Sequence, residues 1–293
     1  MQKVWVTGGN GFIGRNLVEQ LATEFEIVAP RRAEVDLMDE EAVARFLRSE
    51  RVDAVVHCAT KPGHRNASDP TGLVYSNTRM FFNIVRNEGV FDRMILLTSG
   101  AVYDERFYSS KISESFFDAH VPVDETGYSK YLCARWAAQL GNVVELRPFG
   151  VFGKHEDWEI RFISNAICKT LFDLPITIRQ NRRFDYVSVD DLVTIVRRFL
   201  LHGPRCGAWN VTPDSAVELK DLAAMVARIS GRDVPVVVGR EGMGVEYSGD
   251  NARLRGLFPD FRFLALEEAV RSLHAWYASG RGEICRERLL VDK

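Results

Sequence analysis

The stretch "DETGYSKYLCARW" at residues 124–136 places Lys130 four positions after Thr126. On a helix that interval puts both side chains on one face. A lysine so placed can favour the ionised form of a neighbouring hydroxyl and help it move a proton. A phenol suits that task best, yet position 126 carries threonine, a far poorer proton donor. Tyr128 is no simple substitute, because two residues turn about 200° around a helix. The segment therefore reads as an enzyme short of one part, an enzyme that takes its proton elsewhere, or a site that only binds. Tyr103, and Tyr108 and His120 in the long 104–127 stretch ahead of the helix, are candidate replacements.

A second group of residues sits at the other end of the chain. "VWVTGGNGFIG" (4–14) sets Gly8, Gly11 and Gly14 between a strand-like run and a helical one that opens with Phe12 and Ile13. Glycine permits the tight turn and close backbone approach, and the helix start offers unpaired N–H groups and a positive dipole to a pyrophosphate. The motif carries weight here because it lies between strand and helix. After the next strand comes "VAPRRAEVD", with Arg31 and Arg32 and no acid before Glu34. An acid there would bond the adenine ribose, whereas arginine accommodates a 2′-phosphate. The expectation is NADP(H), with NAD(H) the weaker fit.

The elements that must position these groups alternate. Strands are expected at 3–8, 26–30, 54–59, 93–99 and 142–149, with helices at 12–24, 39–50, 72–89 and 128–140 between them. Near-continuous apolar strands interleaved with helices predict an α/β, Rossmann-type, doubly wound parallel sheet. From about residue 150 the rhythm loosens: helices at 161–172, 218–231 and 266–279, a strand then helix over 182–201, and a strand at 208–213. This predicts a dinucleotide-binding domain over 1–150, including about 184–204, and a smaller mixed α/β substrate domain over 151–293, interleaved with the first. Loops at 60–72 and 104–127 are long enough to carry function.

Composition narrows the classes. The 293 residues carry a formal net charge of −2, leaving no basic excess for nucleic acid. No apolar run reaches a membrane span, and the strand-like start leaves no room for a signal peptide. The five dispersed cysteines form no CxxC pair and read as reduced thiols, with no metal site. A cytoplasmic protein is expected.

These residues resemble the extended short-chain dehydrogenase/reductases, the NAD(P)-dependent epimerase/dehydratase group acting on nucleotide sugars. Thr7 to Gly14 matches TGxxGxxG, and Asp36-Leu37 matches the acidic step beside the adenine. "VVHCAT" (55–60), with Cys58, Ala59 and Thr60, resembles the strand under the cofactor, and Asn77 falls on the family's helix asparagine. "LLTSGAVY" (96–103) resembles the strand bearing the catalytic serine, here Ser99. "RPFGVFG" (147–153) resembles RPxNVYG, with Gly150 for asparagine, and "FDYVSVDDL" (184–192), "WNVT" (209–212) and the 250–277 ending also fit.

The resemblance implies that Ser99 polarises a carbonyl, that Lys130 anchors the nicotinamide ribose, and that Thr126 stands where the family has its catalytic tyrosine. It further implies a nucleotide-diphosphate sugar as partner, held by an arginine before "DYVSVDD". Arg182 and Arg183 lie there, with Arg161 and Lys154 weaker candidates. Tyr103 and Gly150 would line the substrate side, and His155 and Trp158 the sugar cleft. His57, on a buried strand, reads as a core residue. Gly100 and Ala101 replace the Asp-Glu pair of 4,6-dehydratases, and Ala101 replaces the cysteine of reductases that also epimerise C3 and C5. What remains is hydride transfer at C4, as a 4-keto reductase or an NAD-retaining 4-epimerase. A binding protein without turnover is the reading from another class. A homodimer through the helices near 73–88 and 127–140 is implied as well.

Overall fold

In the first half of the chain, successive strand residues point to opposite faces of a sheet, and both faces are apolar. Val4, Val6, Ala54, Val56, Ile95, Val144 and Leu146 enter one hydrophobic cluster, while Trp5, Val55, Met94, Leu96 and Val143 enter another. That pattern demands helices on both sides. The computed structural model supplies them. It describes residues 1–64 and 66–291; Arg65, inside the predicted 60–72 loop, and Asp292 and Lys293, at the end of the predicted second domain, lie outside the described residues.

The chain runs β1 (Lys3–Thr7), α1 (Phe12–Leu21), β2 (Glu26–Val28), α2 (Glu40–Glu50), β3 (Ala54–His57), α3 (Leu73–Val85), β4 (Arg93–Leu97), α4 (Glu125–Ala137) and β5 (Val143–Pro148). Then follow β6 (Gly150–Phe152), α5 (Phe162–Leu171), β7 (Ile176–Ile178), β8 (Arg183–Phe184), β9 (Tyr186–Ser188), α6 (Val189–His202) and β10 (Gly207–Val211). The last elements are β11 (Val217–Glu218), α7 (Leu219–Ser230), β12 (Val236–Val238), α8 (Ala252–Leu257) and α9 (Leu266–Ser279).

Six strands form one parallel sheet in the order β10-β5-β4-β3-β1-β2. α1 and α6 pack together beside one face, and α2, α3 and α4 cover the other. The chain steps from β1 outward to β2 and returns to β3 on the opposite side of β1. That reversal opens a crevice at the carboxyl ends of the strands, where such sheets bind ligands. The predicted doubly wound α/β fold is therefore the one adopted.

A third apolar cluster gathers α5, α7 and α9 with the β7–β12 pair. The small β6–β9 pair lies between the clusters, and α6 and β10 return to the main sheet. Several elements differ from the sequence expectation. β2 ends at Val28 instead of residue 30, before Pro30, and α3 stops at Val85 instead of 89. α4 begins at Glu125 instead of 128, because the Asp124 carboxylate accepts the Gly127 N–H at 2.7 Å and caps it there. The earlier start brings Thr126 into the helix with Lys130.

Candidate active site

The glycine loop leaves β1 at Thr7, and each turn of it is sterically determined. Gly8 has φ +69°, and a Cβ there would stand 2.8 Å from the Ala59 backbone. A Cβ on Gly14 would stand 2.1 Å from the Gly8 carbonyl oxygen. Gly11 N–H donates to that same carbonyl at 2.9 Å, and Gly11 caps α1 with no side-chain acceptor. Phe12 and Ile13 open the helix, so its first N–H groups face outward unpaired by a side chain. The loop can turn this tightly only with glycine at positions 8 and 14, and the open N–H groups at the start of α1 fit a pyrophosphate.

Thr7 ties the loop to the end of β3. Its Oγ1 lies 2.8 Å from His57 Nδ1 and accepts the Ala59 N–H at 3.2 Å, while the Cys58 thiol donates to the Thr7 carbonyl at 2.8 Å. Burial lowers the His57 pKa to about 4, so its imidazole is neutral, a core residue held by Thr7. Burial also pushes the Cys58 thiol up to about 12. Next along the crevice, Asn77 Oδ1 accepts the Lys61 N–H at 2.7 Å and the Thr60 hydroxyl at 3.3 Å. Its Nδ2 donates to Ser129 Oγ at 3.4 Å, joining the 58–61 turn to α4.

On α4, Lys130 Nζ donates to the Thr98 carbonyl at 3.1 Å. Burial of the ammonium, aided by the nearby Arg161 charge, lowers its pKa to about 8. Ser99 follows Thr98 directly, and its Oγ accepts the Ala101 N–H at 3.2 Å at the head of a short 3-10 turn. Thr98 hydroxyl donates to Glu145 at 2.6 Å, and Glu145 is paired twice with Arg147, at 2.9 and 2.7 Å. Beneath the site, then, lies a buried ion pair on β5.

A profile of the NAD dependent epimerase/dehydratase family matches residues 4–212, a span that runs from β1 through β10. The chain belongs to that family. It is an NAD(P)-dependent enzyme of the extended short-chain dehydrogenase/reductase type. GDP-L-fucose synthase of Escherichia coli is 31% identical, over 78% of this chain and 82% of its own. ADP-L-glycero-D-manno-heptose-6-epimerase of Cupriavidus pinatubonensis is 29% identical, over 92% of this chain and 97% of its own. A solved GDP-mannoheptose C4 reductase from Campylobacter jejuni with NADP bound superposes with a TM-score of 0.82 at 18% identity, over 94% of this chain and 98% of that one.

In this family member the crevice brings together Gly8, Gly11, Gly14, Cys58, Ala59, Thr60, Asn77, Ser99, Thr126 and Lys130. Arg31 and Arg32 follow β2, largely exposed, facing Glu34 at 3.5 Å and Asp36 at 3.4 Å. Asp36 Oδ1 accepts the Met38 N–H at 3.0 Å, and the Leu37 carbonyl is held by Asn83 at 2.8 Å. Thr126 meets the 60–72 loop: a Cβ on Gly63 would stand 3.1 Å from its Oγ1.

Other expected residues are placed differently. Tyr103 is 2% exposed, donates to Asn210 Oδ1 at 2.7 Å and accepts from Arg147 at 2.9 Å, so it braces the core and does not line the cleft. Tyr108 donates to the Gly100 carbonyl at 2.8 Å, and His120 stacks on Phe107 at 3.7 Å. Gly150 makes room for packing: a Cβ there would meet the Phe184 ring at 2.5 Å and the Asp185 carbonyl at 2.6 Å. His155 reaches α1, with Nε2 3.2 Å from Glu19, and packs against Trp276, while Trp158 packs on the C-terminal cluster.

The two arginines before β9 separate by strand alternation. The Arg182 guanidinium lies 4.8 Å over the Phe184 ring and acts through space on Tyr186 and Tyr247. Arg183 turns the other way, 3.9 Å from Glu246 and on the rim of a separate 530 Å³ depression with Asp191, Asp214 and Glu218. Arg161, exposed at the start of α5, acts on Lys130, Tyr186 and Tyr247 together. Among the described residues no cluster of His, Cys, Asp or Glu could hold a metal, and no helix is long and apolar enough to cross a membrane.

Sequence reasoning missed Tyr247 and Gly63. Tyr247 lies in "GVEYSGD", a stretch with neither strand nor helix periodicity, and only a bridge to Phe184 brings it to the cleft.

Proposed function

We propose that this enzyme reduces the C4 ketone of a nucleotide-diphosphate-linked sugar with NADPH. The observation that carries the reading is that Ser99, Lys130 and the glycine loop lie at the same carboxyl edge of the parallel sheet, with Arg31 and Arg32 exposed after β2. The dinucleotide, when bound, supplies the hydride. Ser99 orients and polarises the carbonyl, Lys130 holds the nicotinamide ribose, and Arg182 with Arg161 receives the diphosphate. Gly100 and Ala101 carry no acid or base, which argues against dehydration at the neighbouring carbons. NADP bound to the Campylobacter jejuni reductase supports the choice of cofactor.

Consumption of NADPH against a panel of nucleotide 4-ketosugars tests this, with NADH as the control. Turnover that requires the ketosugar and prefers NADPH supports the reading. A second reading, C4 epimerisation on retained NAD, draws support from a UDP-glucose 4-epimerase among the solved structures that share the fold and predicts NAD that survives purification. A homodimer through α3 and α4 goes with either reading; their exposed Tyr75 and Trp136 offer the apolar surface, and solution mass tests it.

A further inference from the structure

Position 126 lacks a phenol, and the tyrosines near Ser99 in sequence are committed: Tyr103 to Asn210, Tyr108 to the Gly100 carbonyl. One phenol approaches from the other lobe. Tyr247 is pinned on both sides of its backbone, its N–H donating to Arg183 at 3.0 Å and its carbonyl accepting from Asp185 N–H at 2.9 Å. Its ring is wedged among Phe184 at 4.7 Å, Phe149 at 4.8 Å and Tyr108 at 5.3 Å. That packing aims the hydroxyl at Gly100, the residue after Ser99. A Cβ on Gly100 would stand 2.6 Å from the Tyr247 oxygen, so only glycine there admits the phenol. No described residue takes a hydrogen bond from this hydroxyl, and the residue as a whole is half-buried.

We propose that Tyr247 is the proton donor of this enzyme, presented across the cleft in place of the phenol that position 126 lacks. The proposal rests on the 4-keto reductase reading. Reduction adds a hydride to C4 from the reduced dinucleotide while the carbonyl π pair moves to oxygen. The Tyr247 O–H bond breaks, its proton passes to that oxygen to give the alcohol, and water returns a proton to the phenolate. Burial holds the Tyr247 pKa above its usual 10, so the phenol is protonated at neutral pH, while Arg161 and Arg182 stabilise the phenolate as it forms.

Tyr247→Phe keeps the ring and its packing, so its fold and NADPH binding should match wild type. Its kcat should fall about 10²–10⁴-fold, the usual worth of general acid assistance. Thr126→Tyr in that background should recover part of the loss. Gly100→Ala should depress kcat as Tyr247→Phe does, by displacing the hydroxyl. A readout independent of turnover uses tyrosine isotope-labelled at Cζ: the resonance missing from Tyr247→Phe should shift when a nucleotide sugar is added. A Tyr247→Phe kcat within about threefold of wild type, or an unmoved resonance, overturns the proposal and leaves the reductase reading standing. Absence of turnover in both wild type and Thr126→Tyr overturns the reductase reading, and the proton role with it.

Discussion

Lys130 Nζ and the Thr98 carbonyl oxygen, 3.1 Å apart, join α4 to the end of β4 one residue before Ser99. The contact sets the ammonium at the floor of the crevice, where it is stripped of water, and that has a pH signature.

Unfolded lysine titrates near 10.5, whereas Lys130 in the fold titrates at about 8. Between those values the unfolded chain holds the extra proton, so this group makes stability rise with pH across the window; below 8 the burial penalty is fully present. The melting-temperature difference between wild type and Lys130→Met should therefore move in favour of wild type from pH 8 to 10.5. Parallel curves would mean that the ammonium keeps its water.

Glu145 and Arg147, both almost fully buried, hold Thr98 and Tyr103 in place from β5. Arg147→Met leaves the carboxylate buried without its partner and should destabilise by about 3–5 kcal/mol. Urea unfolding measures it. A loss of about 1 kcal/mol or less, as for an exposed pair, would count against this bracing role.

Gly14→Ala drives a methyl into the Gly8 carbonyl, 2.1 Å from the Cβ position. The loop must shift, and NADPH affinity, followed by its fluorescence, should weaken about tenfold or more, an energy of roughly 1.4 kcal/mol or above. Unchanged affinity would show that the glycine loop does not hold the dinucleotide.

Replacing Arg31 and Arg32 together by alanine removes the exposed charges after β2. If they meet a 2′-phosphate, NADPH binding should drop about 10–100-fold, the worth of one or two charged hydrogen bonds, while NADH binding stays put. Equal loss for both cofactors would place the effect elsewhere.

Much of the dinucleotide half was legible because its rules are local. A glycine triad between a strand and a helix specifies its own turn, and alternating apolar runs specify a sheet covered on both faces. The start of α4 was misplaced by three residues because Asp124 caps it ahead of the apolar pattern. Tyr103 follows the serine strand and so invited a role in the cleft, yet the β10 residue Asn210 and the β5 residue Arg147 claim its hydroxyl. Arg182 and Arg183 were indistinguishable until the fold laid Arg182 over the Phe184 ring and turned Arg183 toward Glu246.

By itself the sequence determined the parallel α/β sheet, the glycine turn after β1, and the four-residue interval between Thr126 and Lys130, which the Asp124 cap then placed together on α4. Each follows from backbone geometry over a few residues. Only the tertiary structure decided which phenol lies against Gly100, because Tyr247 arrives from a remote segment with no periodicity of its own. Its position is set by aromatic packing on Phe149 and Phe184 and by the empty space that Gly100 leaves.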